Sequence, residues 1–238
     1  DIPDGFHLSD SQQLQVDAEK SSETFIDKKG IREFVSELSY PLYFLDFETI
    51  MPAVPEFDQT RPYQMSVFQY SLHIQNEKNG PVVHKEFLAD PNDKNLKTTV
   101  AEQLISDMDR TGDVIVYNKA FESTRLKELT RDFPQYMVEL EAIRNRMVDL
   151  AVPFQQKLYY TPEMRGSYSI KKVLPALVPE LSYEDLEIQE GGTASLTFLE
   201  MVQGNFEGDE TKTRKALLEY CKLDTWAMVR IFSALHSV

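Results

Sequence analysis

The segment Pro41-Leu-Tyr-Phe-Leu-Asp-Phe-Glu48 is apolar at alternate positions on both faces until its acids arrive. That is the pattern of a central β-strand covered on both sides. Asp46 and Glu48 stand two residues apart. Side chains alternate across a strand, so both carboxylates point to one face, the face that also carries Leu42 and Phe44. Two adjacent carboxylates repel and shift each other's pKa unless a cation lies between them. Hard divalent ions such as Mg²⁺ or Mn²⁺ take oxygen ligands of this kind. Asp185-Leu-Glu187 and Asp107-Met-Asp109 have the same spacing, but in polar surroundings, where it carries no such weight. A solvated pair at a strand end is the plain alternative for Asp46 and Glu48.

Outward from this strand, Met65 to Ile74 and Val82 to Leu88 read as further strands, rich in aromatic and β-branched residues. Lys94 to Asp109 reads as a helix and Asp113 to Tyr117 as another buried strand. Ala120 to Arg131 and Tyr136 to Arg146 read as helices separated by Pro134. After Asp149 the chain reads as mostly helical, ending in a long helix over about Thr211 to Leu235. Three strands, a helix, a strand and more helices imply an α/β fold with a mixed sheet and helices on both faces. Residues 1–37 are polar and irregular, with Ser21-Ser22 and Lys28-Lys29-Gly30 as breakers. They read as a linker or N-terminal extension to a single domain over 38–238.

The last helix holds a second misplaced acid. Leu217, Cys221, Asp224, Met228, Ile231 and Leu235 follow a four-three-four-three-four spacing, one continuous helical stripe. A buried carboxylate needs a partner, because leaving it unpaired costs several kcal/mol. Tyr220 stands one turn earlier on nearly the same face, and a Tyr–Asp pair at a helix edge is the simpler reading. A third cluster is Asn118-Lys-Ala-Phe-Glu122, straight after the strand Asp113–Tyr117. Capping and helix-dipole effects alone account for Asn118 and for an acid in the first turn.

Composition bounds what these acids serve. The chain of 238 residues is 42% apolar, with a net charge of −14 and a pI near 4.8. That length supports a sizeable core without disulfides. The single cysteine, Cys221, excludes an internal disulfide and is the usage of a reducing, cytoplasmic compartment. No apolar run reaches the roughly 18 residues of a membrane span, and no secretory signal opens the chain. The first residue is Asp1, which suggests a piece of a longer polypeptide with an upstream region. The acidic balance argues against passive nucleic-acid binding through a basic footprint. From Val173 through Thr211 there is no Lys or Arg, and a solvated acidic surface accounts for that run. An acidic protein still grips a phosphodiester when bound cations supply the positive charge.

Taken in order, the three clusters resemble the exonuclease motifs of the DEDD superfamily, which contains the proofreading domains of DNA polymerases and several RNases. Asp46-Phe-Glu48-Thr49 resembles its first motif, Asn118-Lys-Ala-Phe121-Glu122 its second, and Tyr220-Cys-Lys-Leu-Asp224 the third motif of its tyrosine subclass. A closer likeness runs along nearly the whole chain. Leu45-Asp-Phe-Glu-Thr-Ile50, Arg61-Pro-Tyr63, Phe68-Gln-Tyr-Ser-Leu-His73, Gly166-Ser-Tyr-Ser-Ile-Lys-Lys172 and Glu219-Tyr-Cys-Lys-Leu-Asp-Thr225 resemble a bacterial domain-of-unknown-function family, number 2779, that has been linked to RNase H-like nucleases.

These resemblances imply an RNase H-like mixed sheet and a 3′–5′ exonuclease acting on nucleic acid with a 3′ end, DNA or RNA. They imply that Asp46 bridges two Mg²⁺ or Mn²⁺ ions, with Glu48 and Asp224 completing one and Glu122 helping to hold the other. Tyr220 would orient the attacking water, and Arg61, Tyr63, Gln64, Asn118 and Lys172 would hold phosphate or a stacked terminal base. The sequence departs from the superfamily at position 122, where Glu replaces the usual Asp, and Asp149 is the alternative acid for that corner. The same four acids would also serve an RNase H-like endonuclease, or persist in a degenerate domain that binds nucleic acid or protein without cutting.

Overall fold

Strand β2 (Leu42–Ile50) is central to the sheet, as its apolar pattern requires, and every residue from Leu42 to Leu45 is fully buried. The computed structural model describes residues 6–58 and 60–238. Around β2 lie β3 (Ser66–Gln75), β4 (Val82–Leu88), β5 (Asp113–Val116) and β6 (Met147–Asp149), in the order β4-β3-β2-β5-β6. β3 runs antiparallel to both β2 and β4, while β5 is parallel to β2 and β6 parallel to β5. The sheet is therefore mixed and the fold α/β, as the order of elements implied. The β2–β3 register shifts between Glu48 and Thr49, a bulge directly after the second acid of the pair. Such irregularities end or redirect a strand where a side chain must be aimed.

The helices of this part are α3 (Leu96–Asp107), α4 (Lys119–Asp132), α5 (Met137–Asn145), α8 (Gly191–Val202) and α9 (Glu210–His236). One face of the sheet meets the end of α3: Tyr70 donates to Asp107 Oδ2 at 2.6 Å, and Tyr43 donates to Asp109 Oδ2 at 3.3 Å. Residues one position on point the other way, toward α9. Gln69 donates to the carbonyl of Leu217 at 2.8 Å, and Ser71, His73 and Thr225 form a buried chain at 2.7–2.8 Å. Burial lowers the His73 pKa to about 3, so this seam holds a neutral ring. All six residues of the α9 stripe are buried, with Asp224 at 8% exposure. Where β5 starts, Gly112 adopts φ +80°, and a Cβ there would stand 2.0 Å from the carbonyl oxygen of Pro41. Only glycine permits that approach.

The chain divides into two compact units. One comprises 39–149 and 183–229, the part just described. The other comprises 1–38, 150–182 and 230–238, the last stretch including the end of α9. It contains α1 (Asp10–Ser21), β1 (Phe25–Ile26), α2 (Lys28–Ser36), α6 (Val152–Gln155), β7 (Tyr159–Tyr160) and α7 (Ile170–Leu177). Residues 1–37, expected to be an irregular extension, are mostly helical, apart from residues 1–5, which lie outside the described residues. Ser9 and Gln12 form a reciprocal capping box that starts α1, Asp27 caps α2, and β1 pairs antiparallel with β7. The division after residue 38 is followed by two more, because 150–182 and 230–238 group with the N-terminal segment. Among the described residues, no helix is long and apolar enough to cross a membrane.

Candidate metal centre

Asp46 leaves β2 toward α9, and Glu48 leaves the same face two residues later. The α9 stripe delivers Asp224 to them. One carboxylate oxygen from each of Asp46, Glu48 and Asp224 lies within 4.8 Å of the others. Glu48 and Asp224 are buried and Asp46 is half-buried. Burial first, and then the charges of Asp224, Glu48 and Glu122, push the Asp46 carboxyl well above the usual carboxylate range. The Cys221 thiol, 3.8 Å from Asp46 Oδ2, donates to it and partly opposes that rise. Burial, and then the charges of Asp46, Glu48 and Asp224, push the thiol itself up, so it stays a neutral donor.

Glu122 occupies the first turn of α4 and is only 2% exposed. Its Oε2 is buried and has no hydrogen-bond partner among the described residues. Burial, and then the charge of Asp149, push its pKa up to about 8, with Arg125 acting in the opposite sense. Asp149, read from sequence as the alternative acid, sits at the end of β6 and accepts the backbone N–H of Asn118 and of Lys119, both at 3.0 Å. It clamps the start of α4, where Asn118 adopts φ +74° and makes no side-chain cap. Asn118 thus contributes its backbone to the strand-to-helix turn that presents Glu122.

Two further residues complete the surroundings, and sequence reasoning missed both. Tyr183 donates to Asp224 Oδ1 at 2.7 Å, and its ring lies 6.3 Å from that of Tyr220. It sits within the Lys- and Arg-free run, whose polar composition signals only a solvated surface. Gly191, the first residue of α8, lies against Glu48, such that a Cβ would meet Oε2 at 3.5 Å and the Tyr220 hydroxyl at 3.7 Å. The N-terminal end of α8 thereby presents its partial positive charge to that carboxylate. Burial and the neighbouring carboxylate of Asp224 push both tyrosines above the usual phenol range. At neutral pH they are O–H donors.

Arg61 and Tyr63 are exposed in the β2–β3 connection, Tyr63 at φ +58° with its N–H bonded to the carbonyl of Pro52. Gln64 is buried and accepts from the Arg61 backbone N–H at 3.2 Å, so it braces the loop. Lys172 is exposed on α7, in the other unit.

The family model described as "Domain of unknown function (DUF2779)" matches residues 43–169. Similar proteins include an "Uncharacterized protein MG366 homolog" of Mycoplasma pneumoniae, 30% identical over 228 residues, covering 86% of this chain and 34% of that protein. Another is "Uncharacterized protein UU173" of Ureaplasma parvum, 29% identical over 243 residues, covering 89% of this chain and 33% of that protein. The chain thus spans about a third of the length of these relatives. No solved structure matches it.

Proposed function

The chain belongs to the family described as Domain of unknown function (DUF2779), so its functional reading rests on its site, and we propose that it is a metal-dependent nuclease of the DEDD type. On this reading it is a cytoplasmic 3′–5′ exonuclease that uses two Mg²⁺ or Mn²⁺ ions on a DNA or RNA end. The observation that carries the reading is the convergence of Asp46, Glu48 and Asp224 within 4.8 Å, from a central strand and a terminal helix. Three buried or half-buried carboxylates at that separation repel strongly, and an all-oxygen donor set suits a hard divalent cation. The unpartnered Oε2 of Glu122 is a fourth oxygen that such a cation would satisfy.

Asp46, Glu48 and Asp224 would hold one cation, and Asp46 with Glu122 the other. Bound cations of this kind polarise a phosphoryl oxygen and lower the pKa of water. The rest is done by the chain's own groups. Tyr183 orients Asp224 through its hydroxyl, fixing which carboxylate oxygen faces the site. Tyr220, kept protonated by its buried and acidic surroundings, donates a hydrogen bond that orients water or a phosphoryl oxygen. It does not act as a base.

The test is Mn²⁺-dependent digestion of oligonucleotides labelled at either end. A 3′–5′ exonuclease releases the 3′ label at once as a mononucleotide and shortens the 5′-labelled strand into a descending ladder. Asp46→Asn should abolish both. Internal fragments from both labels would instead assign an endonuclease. Intact DNA and RNA in the presence of bound Mn²⁺ would overturn the nuclease reading.

A further inference from the structure

One buried cation remains outside this account. Arg125 on α4 is 7% exposed, and its Nε and Nη1 are buried without a hydrogen-bond partner among the described residues. Its Nε lies 3.3 Å from Glu128 Oε2, close enough for an ion pair but not aligned as a hydrogen bond. A guanidinium is never deprotonated in a protein, and a buried donor without an acceptor costs stability. Position and direction both matter here. Glu122 precedes Arg125 by three residues, so the two lie on one face of α4. The Arg125 guanidinium carbon stands 5.3 Å from the centre of the Phe121 ring, one turn back. The side chain therefore runs toward the start of α4, as helical side chains lean, and brings its head group to the turn that holds Glu122. Yet Arg125 forms no ion pair with Glu122, and Glu122 Oε2 also lacks a hydrogen-bond partner. The guanidinium therefore has two donors that lack an acceptor on the face of α4 that also carries Glu122, and an anionic oxygen is the group that would satisfy them.

We propose that Arg125 binds a phosphoryl group of the nucleic-acid substrate, on the Glu122 side of the candidate metal centre. The inference rests on the nuclease reading and extends it, adding a buried anion-holding group to the exposed candidates Arg61 and Lys172. A planar fork of N–H donors matches two phosphoryl oxygens, and the face of Phe121 holds the fork's plane. A guanidinium already buried pays little further desolvation when the anion arrives, so its hydrogen bonds count strongly there.

The experiment is calorimetry on the full chain with Mn²⁺ alone, then with thymidine 5′-monophosphate, thymidine and inorganic phosphate at saturating Mn²⁺. Wild type should bind Mn²⁺ and the nucleotide, inorganic phosphate more weakly, and thymidine not at all. With Mn²⁺ saturating for each protein, Arg125→Gln should still bind Mn²⁺ and lose at least about tenfold in nucleotide affinity, the effect of removing a charged hydrogen bond. Arg125→Lys, which keeps the charge but not the fork, should fall between the two, and it serves if the glutamine variant does not fold. Nucleotide affinity unchanged in both variants, with Mn²⁺ binding intact, would overturn the role of Arg125 and leave the nuclease reading standing. Inorganic phosphate binding as tightly as the nucleotide would overturn the assignment to nucleic acid. Wild-type protein that binds no Mn²⁺ would overturn both readings together.

Discussion

At the scale of the single residue, the cost of gathering acids is the quantity that can be measured most directly. Glu122 has its folded pKa raised from the ordinary glutamate range to about 8 by burial. A raised folded value means that the native state holds a proton which the unfolded state has released. Its contribution to stability is thus fully present below about pH 4.5 and is lost as pH rises toward 8. In the absence of divalent cations, urea unfolding should show stability falling over that window, with a slope approaching about 1.4 kcal/mol per pH unit from this group. Glu122→Gln should flatten that part of the curve, and saturating Mn²⁺ should reverse its direction in wild type. A wild-type curve identical to that of the glutamine variant would show that Glu122 is ionised by an unrecognised partner. Tyr183 makes a different prediction, because it acts through Asp224 and not on any reacting group. Tyr183→Phe removes the 2.7 Å donor while keeping the ring. Loss of a hydrogen bond that orients a ligand typically costs 10- to 100-fold in metal affinity, so its Mn²⁺ titration midpoint should rise by roughly that factor with little change in thermal stability. An unchanged midpoint would make the Tyr183–Asp224 bond a packing feature only.

At the scale of the element, the strand-to-helix turn at Asn118 decides whether Glu122 faces the site. Asn118 holds φ +74°, and Asp149 accepts two backbone N–H groups there. A left-handed backbone is easy for glycine, tolerable for asparagine and costly for alanine. Asn118→Gly should therefore change unfolding free energy by no more than about 0.5 kcal/mol, while Asn118→Ala should cost about 1–2 kcal/mol. Asp149→Ala, which takes away the acceptor of two N–H groups, should cost about 1–2 kcal/mol and deprotect the Asn118 and Lys119 amides in hydrogen exchange. Equal stability of all three variants would sink this account of the turn. The same elements show what the sequence made legible. Strand β2 could be read because a strand covered on both faces is a continuous apolar run, β4 because it is rich in β-branched and aromatic residues, and the α9 stripe because burial of one helix face imposes a period of 3.6. Asp46 and Glu48 stood out because they interrupt that run, and Asp224 because it interrupts that stripe. β6 is three residues long, too short to show any period, and its Asp149 was consequently read as a spare ligand without its backbone role. α1 is polar at most positions and owes its start to the cap at Ser9, so hydrophobic patterning has little to read there, whereas α2 carries Ile31, Phe34 and Val35 at helical spacing behind its Asp27 cap, a stripe that Lys28-Lys29-Gly30 obscured. Tyr183 and Gly191 reach the acids through a segment with little secondary structure and the start of α8, and no local pattern encodes a contact of that kind.

At the scale of the whole molecule, a net charge of −14 has to be reconciled with a polyanionic substrate. A protein that holds nucleic acid with a basic footprint releases counterions on binding. Six to ten phosphate contacts then weaken affinity by about 10³–10⁵ between 50 and 200 mM salt. Here the attraction would be concentrated in cations bound to a few carboxylates and in one buried guanidinium, while the remaining surface repels the strand. The Debye length falls from about 30 Å at 0.01 M to about 8 Å at 0.15 M ionic strength. Added monovalent salt therefore screens the long-range repulsion first and leaves the short-range, partly buried contacts nearly intact. At saturating Mn²⁺, kcat/KM on a single-stranded oligonucleotide should change by less than about tenfold between 50 and 200 mM NaCl, and should rise from 10 to 50 mM as repulsion is screened. Metal concentration should matter far more than salt, because without the cation nothing offsets the acidic surface. The two dependences are separable by holding Mn²⁺ well above its midpoint while NaCl is varied, so that competition for the carboxylates does not enter. A loss of a hundredfold or more over the same range would mean that a basic surface, not the acidic centre, holds the strand, and the site would then have to be sought among the exposed Lys and Arg residues.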